Sequence, residues 1–140
     1  MNKIKKALIS LSDKKNLKAI LKILKKYNVQ LISSGGTFKE IKKLGFKCLE
    51  VSKYTGSPEI LDGRVKTLHP KIHAGILSKR NSKSNKKDLK KQNYEEIDLV
   101  IVNFYPFEEI IKKNNNHKKI IENIDVGGPT MVRAAAKNYN

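Results

Sequence analysis

Short apolar runs alternate with segments of helical periodicity along the first fifty residues. Residues 7–11 and 29–33 are apolar runs of strand length, and residues 46–51 form a third predicted strand. Between these strands, apolar side chains recur at helical spacing over residues 17–24 and 38–44. The alternation predicts a βαβαβ unit, with parallel strands, right-handed crossovers and helices on both faces of the sheet.

The remainder of the chain is less regular. Residues 52–78 show no simple period, although Pro70 precedes a segment that is apolar enough for a short helix. Residues 97–103 predict the strongest strand. The tract at 78–93, rich in Lys, Asn and Ser, predicts a mobile surface excursion that is partly helical near 87–91. Further helices are predicted at residues 108–113, 120–124 and 130–137, the last of which opens after Gly127-Gly128-Pro129.

The size and composition of the chain fit one globular domain. Of its 140 residues, 39% are hydrophobic, which suffices for one buried core but not for two independent ones. No apolar run approaches the ~20 residues of a membrane span, and the N-terminus lacks the apolar core of a signal peptide. We therefore expect a cytoplasmic protein that does not associate with a membrane. The lone cysteine, Cys48, favours a packed core thiol over a nucleophile.

The net charge of +17 raises nucleic-acid binding as a hypothesis. Three of the basic residues are arginine, the side chain best suited to bidentate contacts with bases and phosphates, and the rest are lysines spread along predicted helix faces. Aromatic residues are not interleaved with them, as stacking on single strands would require. A nucleic-acid partner is therefore not expected. Two of the arginines, Arg64 and Arg133, lie in or beside glycine-containing segments, which favours a use for the planar guanidinium there.

Three polar segments that contain glycine interrupt the pattern, at residues 33–37, 61–75 and 125–130. Parallel α/β folds bind ligands at the carboxyl ends of their strands, so these segments could converge on one pocket. The segment at 61–75 carries cations, hydroxyl and imidazole groups, which suit an anionic ligand.

The loop after the first predicted strand also suits an anion. Ser10, Ser12 and Lys14 offer two hydroxyls and an ammonium beside a helix N-terminus, for which Ser12 and Asp13 are the predicted N-cap. In Ser-Gly-Gly-Thr at 34–37, paired glycines permit close backbone approach and both flanking hydroxyls could contact a phosphate. A phosphate site and a plain tight turn fit this segment equally well.

The pairs His69/His73 and Asp125/Lys137 each allow two interpretations. The histidines are four residues apart, as in some zinc sites, but Pro70 moves His69 out of helical conformation and no third ligand is evident. A structural or substrate-contacting imidazole is favoured, and no metal site is predicted. Asp125 and Lys137 flank the last predicted helix, where they are either ordinary charges at helix ends or a functional pair.

Four motifs occur in one consistent order between about Ala7 and Asn138. They are Ser-Gly-Gly-Thr at 34–37, Gly-Arg-Val-Lys-Thr-Leu-His-Pro-Lys-Ile-His-Ala-Gly-Ile-Leu at 63–77, Val-Asn-Phe-Tyr-Pro-Phe at 102–107 and Ile-Asp-Val-Gly-Gly-Pro-Thr-Met-Val-Arg-Ala-Ala-Ala-Lys-Asn at 124–138. Together they resemble the N-terminal cyclohydrolase region of the bifunctional AICAR transformylase/IMP cyclohydrolase family of purine biosynthesis. The resemblance implies a methylglyoxal-synthase-like α/β fold of three layers with a mainly parallel sheet. It also implies that residues 1–140 are a cyclohydrolase domain that is incomplete at its C-terminus, with the transformylase domain absent.

The resemblance further implies the closure of the second purine ring. In that reaction the carboxamide nitrogen of formyl-AICAR attacks the formyl carbon, and the carbinolamine loses water to give IMP. Lys137 resembles the family's proton-transfer residue, and the resemblance gives Lys66, Tyr105 and Asp125 assisting roles whose division stays open. The implied substrate-binding residues are Ser12, Asp13, Lys14, Ser34, Gly35, Gly36, Thr37, Arg64, Val65, Lys66, Thr67, Val102, Asn103, Asp125 and Val126.

The implied partners are a purine ribonucleotide substrate and product, and a second copy of the full-length protein in a homodimer. No metal or cofactor is implied for ring closure. The alternative interpretation is a non-catalytic regulatory domain of the same fold that binds a nucleotide or phosphate.

Overall fold

Four parallel strands form the sheet at the centre of the computed structural model, which describes residues 3–113 and 115–139. They are β1 (Lys6–Ser10), β2 (Gln30–Ser33), β3 (Leu49–Glu50) and β4 (Leu99–Val102), in the spatial order β3-β2-β1-β4. Every pairing is parallel, which confirms the predicted α/β class.

The helices follow the strands in the order that the apolar pattern predicts, with additions in the irregular middle of the chain. They are α1 (Leu17–Lys26), α2 (Gly35–Lys43), α3 (Val51–Thr55), α4 (Pro70–Leu77), α5 (Lys83–Lys91), α6 (Phe107–Lys113), α7 (His117–Glu122) and α8 (Gly127–Lys137), with a 3₁₀ turn at Leu61–Gly63. Among the described residues, no helix is long and apolar enough to cross a bilayer.

The sheet separates two apolar cores, so the molecule has three layers. Ala7 and Ile9 of β1 face α1 and α2, where they pack with Leu21 of α1 and Ile41 of α2. The intervening Leu8 faces the opposite side, whose core is completed by α3, α4 and α8. Alternate side chains of a strand point to opposite faces, and burying Leu8 or Ile9 contributes about 1.5–3 kcal/mol each. The expected three-layer arrangement is therefore confirmed.

The strand register brings the functional loops to one edge of the sheet. Ser10 at the end of β1 pairs with Val102 at the end of β4, and Ile9 pairs with Ser33 at the end of β2. The loops that follow these three strands consequently begin at nearly the same level. This edge is where a parallel sheet binds its ligands.

Two local predictions are wrong. The third strand does not span 46–51, because only Leu49–Glu50 pair with β2, and Val51 begins α3. Val51 and Tyr54, three residues apart on α3, are both buried under the sheet, and this packing overrides the strand propensity of the segment. The N-cap of α1 is not Ser12 or Asp13, because the helix begins at Leu17.

The Lys-rich tract is more ordered than its composition predicts. Residues 83–91 form α5, in which Ser82 Oγ accepts a hydrogen bond from Asn85 N and Leu89 is buried. Arg80 anchors the start of the tract, since its guanidinium donates to the carbonyls of Gly75, Ser78 and Ile97. The helix predicted near 87–91 is therefore confirmed and begins earlier, at Lys83, whereas the mobility expected for the tract stays a prediction.

Cys48 is half-buried and packs against the core on the α1 and α2 side of the sheet. Burial raises the pKa of its thiol to about 11. The thiol therefore stays protonated near neutral pH, which agrees with a packing role and disfavours a nucleophilic one.

Candidate functional site

A cavity of about 580 Å³ opens at the carboxyl edge of the sheet. Its walls are the loops after β1, β2 and β4, the segment that follows the 3₁₀ turn, the end of α7 and the N-terminus of α8. This volume lies in the range of pockets that hold small molecules and cofactors. The three glycine-containing segments therefore do converge, as their positions in the sequence predict.

Most of the predicted site residues line this cavity, and four do not. Those that line it are Ser12, Lys14, Ser34, Gly35, Gly36, Thr37, Arg64, Lys66, Thr67, Asn103, Tyr105, Asp125 and Val126. Those outside its walls are Asp13, Val65, Val102 and Lys137.

One end of the cavity has the chemistry of an anion site. The first hydrogen bond of α2 runs from Phe38 N to Ser34 O, so the N–H groups of residues 35–37 have no acceptor within the helix. Two ammonium groups flank them: a Cβ on Gly35 would lie 3.2 Å from Lys66 Nζ, and one on Gly36 would lie 3.8 Å from Lys14 Nζ. Backbone donors, the helix dipole and two cations thus favour a phosphate here.

The hydroxyl of Thr37, which was expected to contact a phosphate, instead bonds the backbone of Leu11. Its hydroxyl donates to Leu11 O and accepts from Leu11 N, both at 2.9 Å. The hydrogen of the hydroxyl is thereby engaged, so Thr37 ties the loop after β1 to α2. The groups that α2 offers to an anion are mainly its backbone N–H groups.

Asn103 braces the same loop from the other side. Its side-chain oxygen accepts from Ser12 N at 2.6 Å, and its amide nitrogen donates to Asp13 O at 2.8 Å. Lys14 Nζ in turn donates to Ser12 O at 3.0 Å. Asn103 therefore fixes the loop that presents Lys14 to the cavity. Asp13 serves this loop as well, because its carboxylate accepts from Lys15 N and the side chain points away from the walls.

The N-terminus of α8 places a carboxylate in the wall of the same cavity. Asp125 Oδ1 accepts from Gly128 N at 2.9 Å, and a Cβ on Gly128 would collide with the same carboxylate. A Cβ on Gly127 would lie 2.5 Å from Thr67 Oγ1, which is also in the wall. The paired glycines are inside the first turn of α8, rather than ahead of it as expected, and they allow Asp125 and Thr67 to approach the helix closely.

The segment at 60–67 is a strained hairpin that carries two cations. Leu61 and Asp62 have φ of 53° and 55°, the left-handed region that non-glycine residues rarely adopt. A bridge between Ile60 and Val65 closes the hairpin, and Val65 is not among the residues of the cavity wall. Arg64 donates through Nη2 to Glu122 Oε1 of α7. Lys66 lies in the wall between the hairpin and α2, and its Nζ is 3.9 Å from Glu59.

The two histidines have structural surroundings. His69 Nδ1 accepts from Lys71 N at 3.1 Å and caps α4. Burial lowers the pKa of His73, and a hydrogen bond to the backbone of Thr67 opposes part of this shift. Neither imidazole lines the cavity. In the part of the chain that the structure describes, no three His, Cys, Asp or Glu side chains are grouped as metal ligands.

Several wall residues were missed by sequence reasoning. They include Leu11, Asp62, Gly63, Ile121, Glu122, Ile124 and Met131. Ile121 and Ile124 were predicted as the apolar face of a short helix, which is a signal for packing and not for a ligand wall. Glu122 is an acidic residue in a Lys-rich segment, and no local motif marks it.

Lys137 lies away from the cavity. It is the exposed last residue of α8, whereas that helix reaches the cavity through Gly127, Gly128 and Met131. Lys137 is six positions after Met131 in the helix, which places it about 9 Å farther along the helix axis. Arg133 is exposed on the same helix. The catalytic role of Lys137 stays a prediction.

Comparison with known proteins connects this geometry to a family. A model of the MGS-like domain matches residues 16–130. The chain is 53% identical over 137 residues to the bifunctional purine biosynthesis protein PurH of Acetivibrio thermocellus, covering 97% of this chain and 27% of that protein. It is 52% identical to the protein of the same name from Persephonella marina, covering 96% of this chain and 26% of that one. The resemblance to the N-terminal region of these bifunctional proteins is thus confirmed.

The fold also matches a solved structure. The crystal structure of ForH superposes with a TM-score of 0.83 and 30% identity, covering 97% of this chain and 70% of that one. The chain spans about a quarter of the length of the curated relatives that it matches.

Proposed function

Because this chain belongs to the MGS-like domain family and shares about half its residues with PurH proteins, we propose that it closes the second purine ring, as an IMP cyclohydrolase. The observation that carries the proposal is one cavity whose wall holds both an anion site and a carboxylate. Lys14, Lys66 and the N-terminus of α2 form the first, and Asp125 forms the second. A cavity that offers both groups suits a nucleotide monophosphate, whose phosphate needs cations and whose ring closure needs proton transfer.

In this proposal the phosphate of formyl-AICAR binds at α2, which positions the carboxamide nitrogen next to the formyl carbon. A C–N bond forms, the formyl oxygen becomes the hydroxyl of a carbinolamine, and that hydroxyl then leaves as water. Alignment is central because an amide nitrogen is a poor nucleophile. Asp125 and Tyr105 line the cavity, and we assign the proton transfers of ring closure to them.

The test is conversion of formyl-AICAR to IMP by the 140-residue chain without folate or metal, followed by its absorbance change. Lys66→Ala should lower kcat/KM by at least about 100-fold, because it removes a cation that flanks the phosphate site. Asp125→Asn should lower kcat while leaving the affinity for IMP within about threefold. Retention of full turnover by both variants would contradict these roles.

A non-catalytic domain that binds a purine nucleotide or phosphate is the second candidate. The position of Lys137 favours it, because this exposed side chain is outside the cavity and the resemblance makes it the proton-transfer residue. Turnover by the unaltered chain separates the two candidates: the cyclohydrolase proposal expects ring closure that becomes slower in Lys137→Ala, and the regulatory alternative expects IMP binding without turnover. Sedimentation of the full-length protein with and without IMP would test the homodimer that the resemblance implies for it.

A further inference from the structure

Glu122 holds Arg64 at the mouth of the cavity. Both residues line it, and the guanidinium Nη2 donates to Glu122 Oε1 at the end of α7. Both side chains are more than half exposed. Within the described part of the chain, the Nε and Nη1 groups of Arg64 have no hydrogen-bond acceptor. One nitrogen of the guanidinium is thus fixed while its other donors remain available.

We propose that Glu122 is a positioning residue, which orients the Arg64 guanidinium so that its free N–H groups face the bound nucleotide. The inference rests on the proposed function, in which Arg64 contacts the substrate. Arg64 follows the turn at Leu61–Gly63 on the exposed rim, where a long side chain has many rotamers. Restricting these rotamers before binding lowers the conformational entropy that binding removes.

Two other roles for Glu122 fit the structure less well. A competitor would have to be displaced from Arg64 by the substrate anion, but the anion site already has Lys14, Lys66 and the N-terminus of α2 as its donors. A purely structural ion pair would contribute stability, but pairs between exposed side chains contribute little. The bond through Nη2 alone leaves the rest of the guanidinium free, as a positioning role requires.

The first experiment compares Glu122→Ala with Glu122→Gln in the 140-residue chain. Glu122→Ala should raise both the KM for formyl-AICAR and the Kd for IMP about 5–10-fold, where tenfold corresponds to about 1.4 kcal/mol, with kcat within about twofold. Glu122→Gln keeps an oxygen acceptor for Arg64 and should stay within about threefold of the unaltered chain. Glu109→Ala is the matched control, because it removes an exposed carboxylate that pairs with Lys113 outside the cavity.

The second experiment is a double-mutant cycle on the Kd for IMP. If Glu122 acts through Arg64, Glu122→Ala should have no further effect once Arg64→Ala is present. An equal effect in both backgrounds would overturn the inference. So would a lower KM in Glu122→Ala, which indicates competition, or a lower Tm with unchanged Kd, which indicates a structural role.

The cycle also separates this inference from the proposed function. If the unaltered chain bound IMP but did not close the ring, the proposed cyclohydrolase activity would be refuted. The double-mutant cycle would still test the coupling between Arg64 and Glu122, because it uses only the Kd for IMP. Absence of IMP binding by the unaltered chain would overturn both proposals.

Discussion

Replacing Thr37 by valine should destabilise the protein far more than replacing it by serine. The Thr37 hydroxyl bonds both Leu11 N and Leu11 O at 2.9 Å, and the residue is only 4% exposed. Valine keeps the shape of threonine but leaves both backbone groups of Leu11 without this partner. Each buried backbone group that loses its partner costs about 1–3 kcal/mol. Since Leu11 is half-buried, we expect the lower part of the sum, about 2–4 kcal/mol.

Urea unfolding followed by circular dichroism measures this difference. Thr37→Ser keeps the hydroxyl and removes one methyl group, so it should cost about 1 kcal/mol. A valine variant whose free energy of unfolding lies within about 0.5 kcal/mol of the serine variant would refute the role of the hydroxyl as a tie between the two loops.

The affinity for IMP distinguishes the tie from a direct phosphate contact. Because the tie holds the loop that presents Lys14, folded Thr37→Val should bind IMP more weakly, and Thr37→Ser should bind it nearly as well as the unaltered chain. If Thr37 instead contacted the phosphate directly, valine would abolish affinity while leaving stability intact. That result would restore the role expected from the sequence.

Three further predictions follow from single contacts and pKa shifts. Gly127→Ala should lower stability by about 1–3 kcal/mol and weaken IMP binding, because its Cβ would lie 2.5 Å from Thr67 Oγ1. Cys48 should react with iodoacetamide at pH 8 roughly 100-fold more slowly in the folded chain than in urea, because burial raises its pKa from 9.0 to about 11. The free energy of unfolding should fall as the pH drops below 6.5, because burial lowers the pKa of His73 and the unfolded chain then binds the proton more readily.

Each of these predictions has its own control. Thr67→Ala removes the hydroxyl that a Cβ on Gly127 would contact, so it should restore part of the stability that Gly127→Ala loses. Thr67→Ser keeps that hydroxyl and should not restore it. Equal labelling rates for Cys48 in the folded and unfolded chain would contradict its protonated state. His73→Asn should flatten the loss of stability below pH 6.5, and an unchanged pH profile in that variant would assign the loss to other groups.

The alternation of apolar runs was sufficient to predict the parallel sheet. Buried strands appear as short continuous apolar runs, whereas helices show apolar residues every three to four positions. Val51 and Tyr54 show where this reasoning ends. Both residues are buried at helical spacing because the core on that side of the sheet has room for them. That room is a property of the tertiary fold and cannot be inferred from the neighbouring sequence. The start of α1 was missed because Asp13 forms a turn with Lys15 N in place of a helix cap.

The loops of the candidate site were predictable from their glycines and polar residues, but the partners of those residues were not. Asn103 was expected to contact a ligand, and its amide spans the loop at Ser12 and Asp13. Glu122 enters the wall only because α7 folds back toward Arg64. Contacts between residues 58 or more positions apart are set by the tertiary fold, and one sequence carries no local signal for them.

The three hydrogen bonds of Arg80 limit how far this chain can exchange arginine for lysine. Its two terminal nitrogens, on one rigid plane, reach carbonyls in a helix, in the turn that follows and in the residue two positions before β4. An ammonium has its donors on one atom at the end of a flexible stem, so it could not span the same three oxygens. The framework of a protein that is rich in lysine can therefore require an arginine for its geometry, as it does at Arg80.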